Sequence, residues 1–324
     1  MSAVAQFDPL QYEFPLELER DYSPMGVPLR IITNSPDILA AADPCWESYP
    51  LLDDAAPMTM RVAVTKQRGI FPARPCLPIG QEHLVSMIHG PEDFAVCDLA
   101  ASFTYARLTQ AVAADSAYVR YHFLDPAVYL MAEAARFCPV HASCIALNGR
   151  AVLLCGESGA GKTSLAYACA KRGWTFLSGD ATYIVRDTSE AIVAGRPHSI
   201  RFRAEARRLF PELGVYLPER RPNGKLDLEL DTKELGLDTA FRSKACAVVF
   251  LNRKSDERPA TIASFPRANG FMQLSQAICY GNTHIRTAQK TALLNFLELP
   301  ALELTYTDFD RAEQVLRVLA SGRP

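Results

Sequence analysis

Hydrophobic positions along the chain fall into two regimes. Between residues 28 and 119 they come as short runs (29–32, 60–64 and 94–97) cut by Pro, Gly and Asp, with no long helical period. That pattern predicts strands joined by turns. Residues 126–137 then place Val128, Leu130, Met131, Ala134 and Ala135 close to helical spacing, with Asp125 as a cap ahead of Pro126, so a helix is expected there.

From His141 onward the signals sharpen. Two apolar runs, 141–147 and 151–155, flank Asn148-Gly149, a pair suited to the positive φ values of a type I′ hairpin turn. If Leu147 pairs with Arg150, stepping outward along the ladder puts His141 opposite Gly156, and directly opposed residues have Cα atoms about 4.5–5.5 Å apart. Residues 164–171 are helix-forming, Gly173 stops the helix, and 175–178 read as a strand leading to Asp180. Further strands are expected at 183–185, 199–203, 245–251 and 302–306, and helices at 269–278 and 287–297. A last helix is marked by a cap at Thr307 or Asp308 and by the stripe Phe309, Ala312, Val315, Leu316 and Leu319. The chain thus divides into a strand-rich N-terminal region, residues 1–135, and an α/β region, residues 136–324.

The segment Gly156-Glu157-Ser158-Gly159-Ala160-Gly161-Lys162-Thr163, followed by Ser164, matches G-x-x-x-x-G-K-[ST] in full, with a strand before it and a helix after it. Glycines let backbone N–H groups turn inward around phosphates, the lysine neutralises the β and γ oxygens, and the Thr163 hydroxyl is a Mg²⁺ ligand. The motif points to the triphosphate of a purine nucleotide and leaves the reaction open. Asp180 follows Lys162 on the very next strand. A carboxylate there can hold Mg²⁺ or take a proton from an attacking hydroxyl, although Ser-Gly-Asp is also ordinary turn chemistry. His141, placed beside the loop by the hairpin register, would reach a γ-phosphate or its acceptor; a strand histidine held by hydrogen bonds is the plainer reading. Arg201 and Arg203 alternate on one strand face and could clamp an anion, but a solvated face explains them as well. His198 and Arg253 read as exposed loop residues.

Composition narrows the partners. With 34 Lys and Arg against 36 Asp and Glu, the chain has no global basic field for nucleic acid. Nine cysteines, an odd number without a C-x-x-C pair, sit mostly in apolar stretches and read as reduced core residues of a cytoplasmic protein. The first residues are acidic and proline-containing, unlike a secretory signal, and no apolar run nears the roughly 18 residues that cross a bilayer, so no membrane partner is expected.

Taken together, the strand that begins His-Ala-Ser-Cys-Ile-Ala-Leu at His141, the Gly156–Thr163 loop, and Lys-Arg-Gly-Trp-Thr-Phe-Leu-Ser-Gly-Asp ending at Asp180 resemble the HPr kinase/phosphorylase family, in particular its shorter HPr-kinase-related serine kinases. The resemblance covers residues 139–185. It implies a P-loop-containing mixed α/β sheet of the phosphoenolpyruvate carboxykinase-like kind, ATP and Mg²⁺ as cofactors, and transfer of the γ-phosphoryl group to a serine-type hydroxyl of a peptide, protein or small molecule. It also implies His141 near the transferred phosphate and Asp180 at an acidic strand tip. The family usually carries two consecutive aspartates at that tip, whereas here the first position is Gly179. Either Asp180 serves metal and base together, or His141 takes the proton, or transfer has been lost. The last case leaves a nucleotide-binding regulatory protein; a simple ATPase is a further alternative. No counterpart of the Gly- and Asn-containing loop that engages HPr is present, so HPr is not the expected acceptor. A homo-oligomer is compatible with all of this.

Overall fold

The computed structural model describes residues 15–46, 49–52, 56–66, 78–220, 224, 226–254 and 259–322. The chain forms two compact units, Met1–Ala135 with Tyr280–Asn282, and Arg136–Cys279 with Thr283–Pro324. Both are mixed α/β.

The first unit contains β1 (Leu18–Tyr22), β2 (Leu29–Thr33), α1 (Pro36–Trp46), β3 (Met58–Thr65), β4 (Ile79–Gln81), β5 (Leu84–Ile88), β6 (Phe94–Asp98), β7 (Phe103–Thr109), the short helices α2 (Gln110–Ala113) and α3 (Ser116–Val119), and α4 (Asp125–Ala135). Its strands make one seven-stranded sheet in the order β1-β2-β3-β7-β6-β5-β4, parallel across β2-β3-β7 and antiparallel elsewhere. Inward-facing residues alternate along β3 (Met58, Met60, Val62) and β6 (Ala95, Cys97), and α4 packs across both strands. The expectation of a region without helical period fails at α1. Ile38, Leu39, Ala41, Ala42 and Trp46 are buried on one side of that helix, a face obscured in the sequence by its run of alanines and by Pro44.

The second unit holds β8 (Phe137–His141), β9 (Ser143–Leu147), β10 (Arg150–Cys155), α5 (Lys162–Ala170), β11 (Thr175–Ser178), β12 (Ala181–Val185), β13 (Ile192–Ala194), β14 (Ser199–Arg203), β15 (Glu219–Arg220), β16 (Leu226–Asp231), β17 (Arg242–Arg253), β18 (Thr261–Ser264), α6 (Arg267–Leu274), α7 (Thr283–Phe296), β19 (Ala301–Tyr306) and α8 (Phe309–Ser321). Nine strands form a mixed sheet, β11-β9-β10-β17-β13-β12-β8, with β19 added in parallel along the far half of β17 and β18 on its outer side. β14, β16 and β15 make a separate small antiparallel sheet.

The large sheet is covered on both faces, which explains why its central strands are apolar throughout. Val152 and Leu154 of β10 face a core shared with Leu165, Trp174 and Leu316, while Ala151, Leu153 and Cys155 face one shared with Leu293 and Phe296. Burying each valine or leucine contributes about 1.5–3 kcal/mol. α8 is held at its start by the Asp308 carboxylate, which accepts from the Arg311 N–H at 2.8 Å, and it ends at Gly322 in the left-handed region. Such a cap is worth about 1 kcal/mol. Its Glu313 is buried but satisfied, accepting from Trp174 Nε1 at 2.7 Å and from Arg317. No helix among the described residues is long and apolar enough to cross a membrane.

Candidate active site

β10 runs straight into the Gly-rich loop and α5 leaves it, so the loop sits at the carboxyl end of a central strand. In mixed and parallel sheets this is where ligands collect. The turn upstream has the left-handed backbone its residues favour, Asn148 at φ 51° and Gly149 at φ 75°, and the β9–β10 ladder keeps the expected register from Leu147↔Arg150 to Ser143↔Leu154.

Beyond Ser143 the expected register ends. His141 does not lie opposite Gly156. The chain breaks at Ala142, β8 moves out to pair with β12, and His141 stands opposite Ala181. Hydroxyl groups hold this break. Thr182 Oγ1 donates to the Ala142 carbonyl at 2.8 Å and lies 2.7 Å from Ser178 Oγ, while Ser143 Oγ donates to the Gly179 carbonyl at 2.5 Å. As a result the imidazole of His141 is carried to Asp180, in the tight turn between β11 and β12, with Nδ1 3.2 Å from Oδ1. Their side chains are 54% and 70% exposed, so both are open to a substrate.

Three glycines of the loop have positive φ: Gly156 at 147°, Gly159 at 91° and Gly161 at 90°. At Gly161 the requirement is also steric, because a Cβ would come within 2.8 Å of the Tyr306 hydroxyl, which itself donates to the Ala160 carbonyl at 3.2 Å. Tyr306, the last residue of β19, thereby buttresses the loop from below. Lys162, the first residue of α5, is buried and donates to the Gly156 and Glu157 carbonyls at 2.9 and 3.1 Å. Burial lowers its pKa, and the Asp180 carboxylate opposes that shift. The Thr163 hydroxyl donates to the Gly179 carbonyl at 2.7 Å, which leaves its oxygen lone pairs available to a cation.

These residues line one cleft of about 530 Å³, a volume in the range of small-molecule sites. Its walls carry His141, Ser158, Gly159, Gly161, Lys162, Thr163, Ser164 and Asp180. Of the remaining loop residues, Gly156, Glu157 and Ala160 take part through backbone, as the carbonyl acceptors above. The cleft also draws in residues that sequence reasoning left as solvated. Arg203 donates to Ser158 Oγ at 2.7 Å, Arg201 shares its strand face, and Arg253 lies 4.9 Å above the Phe309 ring on the cleft wall. Phe202, Glu205, Ala206, Leu209 and Asp227 complete the wall, and no motif marks them in the sequence. No local sequence signal marks Arg253; it enters the site because β17 is the parallel neighbour of β10, with Cys155 beside Phe250, which brings the end of β17 to the loop. His198 lies outside this cleft, exposed at the surface.

Thr163 and Asp180 both line the cleft, and their oxygens are hard donors of the kind that suits Mg²⁺ bound jointly with phosphate. Gly179, where a second carboxylate could have stood, is buried; a Cβ there would meet the Thr163 methyl at 3.4 Å and Ile200 at 3.5 Å.

No protein-family model matches the sequence, and neither does any curated protein. A solved structure, the Hpr(Ser) kinase/phosphatase from Coxiella burnetii, is similar over 56% of this chain and 93% of its own, at 11% identity and a TM-score of 0.30. The relationship is distant.

Proposed function

We propose that the second unit binds the triphosphate of ATP at the Gly156–Thr163 loop and transfers its γ-phosphoryl group to an acceptor hydroxyl. The observation that carries this reading is the meeting, in one cleft, of a complete phosphate loop with the His141–Asp180 pair. Loop amides and Lys162 would hold the β and γ phosphates, and Arg203 and Arg253 would add charge from beside the loop. Thr163 and Asp180 would hold Mg²⁺, which supplies charge neutralisation on the triphosphate.

The proton of the acceptor has a destination in the pair itself. With Nδ1–H of His141 directed at Asp180, Nε2 presents a lone pair, and the carboxylate fixes that tautomer. As the acceptor oxygen forms its bond to phosphorus and the bond to the ADP oxygen breaks, the hydroxyl proton passes to His141 Nε2. The base and metal roles that would fall on two aspartates are then divided between His141 and Asp180, which accommodates Gly179.

The test is incubation with γ-labelled ATP, Mg²⁺ and hydroxyl acceptors, comparing wild type with Asp180→Asn. Label on an acceptor, lost in the variant while ATP still binds, supports transfer. ATP binding with neither transfer nor hydrolysis would leave a regulatory nucleotide-binding protein, and phosphate release without any acceptor would leave an ATPase.

A further inference from the structure

Beside the main cleft lies a second, much smaller hollow of about 70 Å³, formed by the β11–β12 turn and the start of β14. Its walls include Asp180, Ser199, Arg196 and Arg201. Asp180 and Arg201 line both spaces, so the hollow adjoins the His141–Asp180 pair, and no residue of the Gly156–Thr163 loop lines it.

The hollow sets two guanidinium groups, Arg196 and Arg201, beside one wall carboxylate, Asp180, and one of the two is prearranged. Glu229 accepts from Arg201 Nη2 at 3.0 Å and from Ser199 Oγ at 3.3 Å, which ties both side chains to β16 and leaves the guanidinium held in place. Arg201 Nε is buried and has no hydrogen-bond partner of its own. Arg203, two residues along on the same face, already serves the loop through Ser158, so β14 assigns one arginine to each side of the reacting centre. The space holds a carboxylate or a phosphate group and little more.

We infer that this hollow is the acceptor subsite and that the acceptor is a small hydroxylated anion, whose carboxylate or phosphate binds between Arg196 and Arg201 while its hydroxyl lies at His141 and Asp180. The inference rests on the transfer reading for what happens at that hydroxyl, but binding of the anion stands apart from it. A neutral alcohol lacks the anchoring group, and the backbone on both sides of a mid-chain serine overfills the hollow.

Calorimetric titration of the full chain, saturated with Mg²⁺ and a non-hydrolysable ATP analogue, tests it with four probes: glycerate, L-serine, glycerol 3-phosphate and glycerol. Saturable binding of a carboxylate or phosphate probe, at least tenfold tighter than glycerol, is expected, and which anion wins distinguishes the two sources. Arg196→Gln, at a residue outside the main cleft, should weaken that probe about tenfold to a hundredfold, the range for losing a charge-assisted hydrogen bond, with affinity for the ATP analogue kept. Equal affinity for glycerol and the anions, or anion binding unaffected by both Arg196→Gln and Arg201→Gln, overturns the inference. Failure of the analogue itself to bind would instead overturn the nucleotide reading, and anion binding measured without nucleotide still decides the subsite.

Discussion

His141 Nδ1 lies 3.2 Å from Asp180 Oδ1, where the β8–β12 pairing reaches the turn after β11. A strand histidine and a turn aspartate, 39 residues apart in sequence (180 − 141), meet because the chain changes partner strands at Ala142. If His141 is the proton acceptor, His141→Asn removes the base and keeps the fold, since the side chain is exposed. Turnover should fall by about 10²–10⁴ with ATP affinity unchanged. Single-turnover transfer alongside equilibrium nucleotide binding checks this; equal loss of both would mean that His141 serves the binding of nucleotide.

The break at Ala142 depends on Thr182, which is fully buried and bonds both the Ala142 carbonyl and Ser178. Thr182→Val keeps the shape and deletes those bonds, leaving the carbonyl with only the longer Ser178 contact at 3.5 Å. Stability should drop by about 1–3 kcal/mol, read from urea unfolding, and turnover should drop further than nucleotide affinity because the His141–Asp180 geometry loosens.

How much of this was legible in the sequence varies with the range of the interactions that decide it. The β9–β10 register was legible because Asn148-Gly149 acts locally, and the phosphate loop because each residue type serves the backbone beside it. The departure of His141 from that register was not, since it is decided by hydroxyls at Ser178 and Thr182, which join Ala142 only in the folded sheet. Arg203 and Arg253 look like ordinary surface residues in sequence. Only the packing of β14 and β17 against the loop makes them part of the site.

Gly161 and Tyr306 offer a paired test of the loop. Gly161→Ala introduces a Cβ 2.8 Å from the Tyr306 hydroxyl at a φ of 90°, so it should cost on the order of 1–3 kcal/mol and weaken nucleotide binding. Adding Tyr306→Phe removes the oxygen that clashes and should restore part of both losses, although the bond to the Ala160 carbonyl goes with it. A double-mutant cycle read by urea unfolding and ATP titration measures that coupling; strictly additive losses would show that the two residues act separately.

In the first unit, His122 is buried against the His89, Tyr118 and Tyr121 rings, with His89 4.8 Å away between ring centroids. Burial, reinforced by His89, lowers its pKa to about 4, while Asp115 acts weakly the other way. The unfolded chain therefore binds a proton near pH 6.5 that the folded chain refuses until about pH 4. Stability attributable to this group is complete above the unfolded value and is lost as pH falls through that window, by roughly 3 kcal/mol in all. Urea unfolding between pH 7.5 and pH 4 should show the decline, and His122→Phe should flatten it. An identical slope in the variant would remove His122 as its source.

The claim on which the rest depends is that the Gly156–Thr163 loop holds a triphosphate through Lys162. Calorimetric titration of Mg²⁺·ATP into wild type and Lys162→Ala tests it most directly. Saturable one-to-one binding, weakened about a hundredfold or more in the variant, is expected from the loss of a buried charge-assisted contact. Absence of binding to the wild type, or equal affinity in both proteins, would contradict it.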